Sequence, residues 1–296
     1  MLRVAPDALE ATRDEEAVRR VAQGVLAAAG VRTAAAAGPV IVAAAFAVQA
    51  GLRVEMTESQ NTATREPLEP VGPAPYLARS VARALATRPD GAEATGGSQL
   101  TGWQRADHAI LDRCRAALAA AWPEMLAELR VCVAQVALLE GRAIDGFTDF
   151  ATHGALYINR ARLGASPLGL PGPVRFAEAL VHEGTHTRCN AAQLSNPFLT
   201  PAAGGADLVR TPLRSDPRPL AGLFQQAVVL VRCTALYRRL LNTESTATAA
   251  LTARHDRLSD GARQAIGTLR QHSATLTEHG LAVLGECDAL LRPTAV

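Results

Sequence analysis

At 296 residues and a net charge of +2, the chain is long enough to bury a large core without a disulfide or structural metal. It has no basic block that would make nucleic acid its main partner. All thirty basic residues are arginine, which excludes a lysine Schiff base to pyridoxal phosphate and a phosphate-binding loop ending in GKS or GKT; GxSxG and GxGxxG are also missing.

The five cysteines, Cys114, Cys132, Cys189, Cys233 and Cys287, are widely spaced and form no CxxC pair, which predicts reduced thiols. The start, MLRVAPDALEATRDEEAVRR, is charged where a signal peptide is apolar, so a cytoplasmic setting is expected. Apolar residues at three and four spacing predict helices over 7–29, 33–51, 76–87 and 103–139. The uncharged run Thr33–Leu52 is mostly alanine and is broken by Gly38 and Pro39, so it reads as a buried helix and not as a membrane span. Loops are expected at TESQNTATREPLEPVGPAP and TRPDGAEATGGSQLTG.

Near residue 145 the texture changes. Ala155 to Ile158 is the best strand candidate, and the turn-rich GASPLGLPGP follows it. Pro173 suits a first helical turn, and Val174 to about Leu194 predicts a helix. A loop of about twenty-five residues comes next, long enough to suggest function. From Leu220 the pattern is helical to about Leu291, with breaks near Asn242, Asp260 and Thr275. The expected fold is mainly α with a small β element next to the metal-string helix. It divides into a helical N-terminal region, 1–140, and a metal-site region, 141–296, with one continuous domain as the alternative.

The stretch FAEALVHEGTHTRCN contains HExxH. His182 and His186, four apart on a helix, project from one face and can clamp one ion. A catalytic zinc or iron needs a further ligand and an open position. In a zinc metallopeptidase Glu183 would be the general base. The metzincin extension would require Gly at 189 and His at 192, where the chain has Cys189 and Ala192. A gluzincin would need a downstream helical glutamate, and none occurs before Glu244. Cys189 and Cys233 read as buried thiols before ligands.

LVHEGTHTRCNAA and PLRSDPRPLAGLFQQAVVLVRC, with THGALYIN ahead of them, resemble the HExxH proteins associated with ribosomally made, post-translationally modified peptides, whose blocks look like LVHEFQH and PWRDDPRPLSGLL. The resemblance covers roughly residues 145 to 240. It implies iron(II) and 2-oxoglutarate dependent hydroxylation of a side-chain β-carbon in a precursor peptide, with His182 and His186 as metal ligands. Relatives carry a histidine where this chain has Gln225, which makes Gln225 the third metal position. Arg214 or Arg218 would take the distal carboxylate of 2-oxoglutarate, because a guanidinium matches a carboxylate in geometry. Asp216 would cap the following helix or orient an arginine. Gly184 and Thr185, at positions that are phenylalanine and glutamine in the family string, would open space beside the metal for a larger substrate.

A peptide could pair with an exposed edge at Ala155 to Ile158, with His153 and Tyr157 facing it or simply packing. Two alternatives stay open: a zinc metallopeptidase using Glu183, and a metal-deficient peptide-binding protein.

Overall fold

The computed structural model describes residues 1–31, 38–54, 66–87, 97–201, 208–212, 217–243 and 246–292. The fold is mainly helical around a small mixed sheet. Helix α1 spans Ala8–Ala28, and the Asp7 side chain caps it by accepting from the Leu9 and Glu10 amides, each at 3.0 Å. Helix α2 is Pro39–Gln49, shorter than the sequence suggests; residues 32–37 lie outside the described residues. Then follow β1 (Glu69–Val71), α3 (Pro75–Ala86) and β2 (Ser98–Thr101), so each expected loop contains a short strand.

The predicted helix 103–139 is three elements: α4 (Arg105–Ala121), α5 (Pro123–Cys132) and strand β3 (Gln135–Gly141). Pro123 starts the second helix at a position where its missing amide costs nothing. Gln135 through Leu139 are buried, which explains a continuous apolar run where alternation would mark a half-exposed strand.

Strand β4 (Gly146–Thr148) and β5 (Ala155–Asn159) complete the sheet, in the order β1-β3-β5-β4. β3 and β5 are parallel, Gln135 opposite Ala155; β4 is antiparallel to β5, Phe147 opposite Tyr157. β1 and β2 share the other edge of β3, pairing with Gln135–Ala137 and with Leu138–Gly141. Gly141 turns the chain away with φ +108, and a Cβ there would lie 2.0 Å from the Gly97 carbonyl. The strand expected at Ala155 to Ile158 is therefore present, but as an interior strand paired on both sides. Its backbone offers no edge to a peptide.

Helix α6 (Gly172–Ser195) carries the HExxH string and is the axis of the molecule, with α1, α4, α5 and the sheet packed around it. Residues 208–209 and 218–219 form a two-stranded pair, β6 and β7, within the long loop. Helices α7 (Leu220–Thr243), α8 (Thr248–Gln271) and α9 (Glu278–Leu291) close the core. Among the described residues α7 alone is long and apolar enough to cross a membrane, and 78% of that stretch is buried inside the fold. α8 runs unbroken through Asp260, where a break was expected. Ser259, Gly261, Ala262 and Ala265 are buried there, and these small side chains let α8 lie close along α7.

Buried charge ties the first residues of the chain to these helices. Arg232 of α7 donates to Glu128 of α5 at 2.5 Å and to the carbonyls of Val4 and Arg3 at 3.0 and 2.9 Å. The other oxygen of Glu128 accepts the Asp7 amide at 2.8 Å, and Arg188 of α6 pairs with Asp14 of α1. Leu2 and Val4 are buried beside this network.

Candidate metal centre

α6 is buried nearly all round through its middle, except along a stripe at four-residue spacing, His182, His186 and Asn190, which the buried Glu178 continues one turn earlier. His182 and His186 are half-buried, with ring centroids 5.2 Å apart and planes at 60°. Two imidazoles one turn apart on one face are what a two-histidine clamp requires. Burial, with the positive charges of His186, Arg162 and Arg254, lowers the His182 pKa to about 3. The ring is thus neutral at physiological pH, the form that ligates metal.

Gln225, in the second turn of α7, meets this stripe. Its carbonyl lies 2.9 Å from His186 Nδ1 and its amide donates to Asn190 Oδ1 at 3.0 Å. A carbonyl can only accept, so Nδ1 carries the proton and the lone pair of His186 is assigned to Nε2. Gln225 thus meets the histidine pair through a hydrogen bond to His186. The neighbouring Gln226 donates to the Pro212 carbonyl at 2.8 Å and anchors the end of the long loop.

Glu183 points to the sheet side of α6. It is 7% exposed, and its carboxyl sits against Gly146 of β4, where a Cβ would come within 2.8 Å of Oε1. Burial and the charge of Asp145 push its pKa from 4.5 up to about 8, with Arg162 pulling the other way. A raised carboxyl pKa favours the protonated fold, so this contribution to stability is full below pH 4.5 and lost as pH rises through 8. In metal-free protein, Glu183→Gln should gain stability over wild type by about 1.4 kcal/mol per pH unit between those limits. Urea titrations at several pH values measure the gap; one that does not change with pH would contradict the environment described.

Two clusters that the sequence did not single out lie near the clamp, and Arg162, Arg254 and Asp145 of these are among the charges acting on His182. Arg162 pairs with Asp145, its Nε donating at 3.0 Å. Arg254 of α8 and Tyr237 of α7 both bond Glu178, at 3.1 Å from Arg254 Nε and 2.6 Å from the Tyr237 hydroxyl. Glu178 and Asn190 could have been found by extending the four-residue spacing on either side of the histidines. Arg162, Asp145 and Arg254 come from distant segments and leave no local signal.

The other expected residues divide as follows. Arg218 stands in β7, opposite Val209 and two residues ahead of α7. Arg214, Asp216 and Glu244 lie outside the described residues. His153 is 4% exposed and bonds Glu15 of α1 at 2.9 Å, while Tyr157 is fully buried, stacked on Phe147 at 4.2 Å and bonded to Thr152. Both pack; neither faces a peptide. Cys189 and Cys233 are fully buried, and burial raises their thiol pKa values.

Gly184 opens no space beside the two histidines. A Cβ there would lie 2.2 Å from Leu129 Cδ2, with Val133 behind, and Thr185 is fully buried with its hydroxyl donating to the Val181 carbonyl at 2.6 Å. The glycine is the close contact between α6 and α5. Gly184→Phe is therefore expected to destabilise by about 2–3 kcal/mol through overpacking, read as a lower urea midpoint; a neutral result would mean the cavity exists after all.

Among the described residues no group of three or more His, Cys, Asp or Glu side chains converges on one point. The arrangement fits a metal held by two imidazoles, with the remaining positions for small ligands. Compared with known proteins, the chain matches no family model and no curated protein.

Proposed function

We propose that the chain is an iron(II) and 2-oxoglutarate dependent enzyme that hydroxylates a side-chain β-carbon of a ribosomally made precursor peptide, with His182 and His186 holding the metal. The observation that carries this reading is the meeting of the two sequence blocks: Gln225 of RSDPRPLAGLFQQ reaches His186 of LVHEGTHTRCN at 2.9 Å. Two blocks that resemble one family, some forty residues apart, share one hydrogen-bonded site.

Bound metal and co-substrate would supply the oxidising chemistry, and the chain's own residues hold the site. His182 is kept neutral by burial and by nearby arginines. His186 is fixed in one tautomer by Gln225, which is itself fixed by Asn190. Few protein donors suit a site where a bidentate co-substrate and oxygen also bind. Of the two arginines that the resemblance suggests for the co-substrate carboxylate, Arg218 precedes the helix that carries Gln225. Arg162 and Arg254 are nearer His182 in charge but are already bonded to Asp145 and Glu178.

Peptide hydrolysis on zinc is the second reading, favoured by one observation: Glu183, which directly follows His182, sets its buried carboxyl against strand β4. Protein reconstituted with iron or with zinc and given 2-oxoglutarate, air and candidate precursor peptides separates the two. The hydroxylase reading expects succinate with one oxygen added to the peptide in the iron sample alone; peptide cleavage in the zinc sample would replace it. Gln225→Leu should lower metal affinity roughly 10- to 100-fold by freeing the His186 ring.

A further inference from the structure

The sheet ends in β4, and the pairing phase fixes what its outer edge presents. The Asn159 amide donates to the Asp145 carbonyl at 2.9 Å, so the pairs that exchange hydrogen bonds are Asp145 with Asn159 and Phe147 with Tyr157. The amides and carbonyls of Gly146 and Thr148 therefore point outward, and among the described residues no strand takes them. One end of this edge lies against the HExxH helix, where Gly146 meets the Glu183 carboxyl and the neighbouring Asp145 is among the charges acting on His182.

The other end opens into a groove. Asp149, Phe150, Ala151 and Thr152 directly follow β4, and with α2 and Tyr76 they line a cavity of about 480 Å³. Its floor is apolar, with Phe46 of α2 38% exposed and Leu52 56% exposed. Its charge is one-sided. Arg83 is neutralised by Asp149, to which its Nε donates at 3.0 Å, but Arg79 on its wall and Arg53 in the adjoining pocket, which shares Leu52, Tyr76 and Arg79, are exposed and have no ion-pair partner among the described residues. Two unpaired guanidinium groups over an apolar floor complement a segment with carboxylates and apolar side chains.

We propose that the outer edge of β4 and this groove form one track for an extended peptide, with an acidic and apolar segment seated in the groove about four residues from the side chain presented at Glu183 and His182. The spacing is the distance from Gly146 to Phe150, roughly 13 Å of extended chain. Backbone pairing with Gly146 and Thr148 sets the register, and Arg53 and Arg79 select the charge. This rests on the peptide-modifying reading above and gives the substrate its chemistry.

The test is fluorescence anisotropy on the metal-loaded full chain. One probe is a fluorescein-labelled dodecapeptide alternating Asp and Glu with Leu and Phe; the other replaces its acids by Lys and Arg. The acidic peptide is expected to bind and the basic one not. The surface variant R53E/R79E should weaken the acidic peptide roughly tenfold and strengthen the basic one. F46A should weaken the acidic peptide several-fold. H182A, which removes the clamp, should leave groove affinity within about twofold, so loss of the metal chemistry alone does not read as loss of the track. Equal binding of the two peptides, no binding of either, affinity unchanged by R53E/R79E, or a dimer that R53E/R79E dissociates would overturn the proposal.

Discussion

Arg232→Ala is expected to lower the unfolding free energy by about 3–5 kcal/mol, measured by urea denaturation, because it leaves a buried carboxylate without its partner. Arg232 and Glu128 are both fully enclosed, and the guanidinium also holds the carbonyls of Arg3 and Val4. Removing it leaves Glu128 only the Asp7 amide and the more distant Arg188 Nε at 3.9 Å, and strips two backbone acceptors at once. A hydrophobic pair, Glu128→Leu with Arg232→Met, should be less damaging than the single change, since no unpaired charge remains. It should not recover fully, because the Asp7 amide and the Arg3 and Val4 carbonyls lose their partners. A single substitution costing under about 1 kcal/mol would mean that water reaches the site, and the N-terminal strap would not be the fastening described here.

His182→Ala and His186→Ala should each abolish stoichiometric metal binding, read by elemental analysis after dialysis, while leaving the fold near wild-type stability. The clamp has two imidazoles and, among the described residues, no third acidic, thiol or imidazole donor to compensate. Loss of either removes half of the protein ligands. Both rings are half-buried, so truncation does not empty a packed core position. His182→Ala should even relieve the cost of burying an imidazole that resists protonation, since its lowered pKa costs stability as pH falls below 6.5 toward 3. Metal retained at full occupancy by either variant would place the ion elsewhere.

The HExxH helix was legible because its signal is local. Histidines four apart, a glutamate after the first and Pro173 near the start all act within one helix, and α6 runs Gly172–Ser195 where 174–194 was expected. The mainly α class with a small β element near that helix was legible for the same reason. β3 was not. The stretch QVALLEG is rich in residues that also favour helices, and a strand buried on both faces loses the alternation that would reveal it. That one strand decides the rest of the sheet, so the edge was placed on β5 when it belongs to β4.

The contents of the site divide along the same line. Gln225 was found through the second sequence block, but its bond to His186 Nδ1 depends on how α7 crosses α6, which no spacing within a single helix contains. A glycine at 184 suggests open space only when its neighbour is unknown. Leu129, fifty-five residues earlier in the chain, fills that volume.

The central claim is that one metal sits between His182 and His186. X-ray absorption at the metal K-edge of the reconstituted protein tests it most directly, because imidazole rings give a countable scattering signature. The account predicts two histidine nitrogens per metal, falling to one in His186→Ala protein loaded at high metal concentration. A metal shell without imidazole, or the same two-histidine shell in that variant, would contradict it.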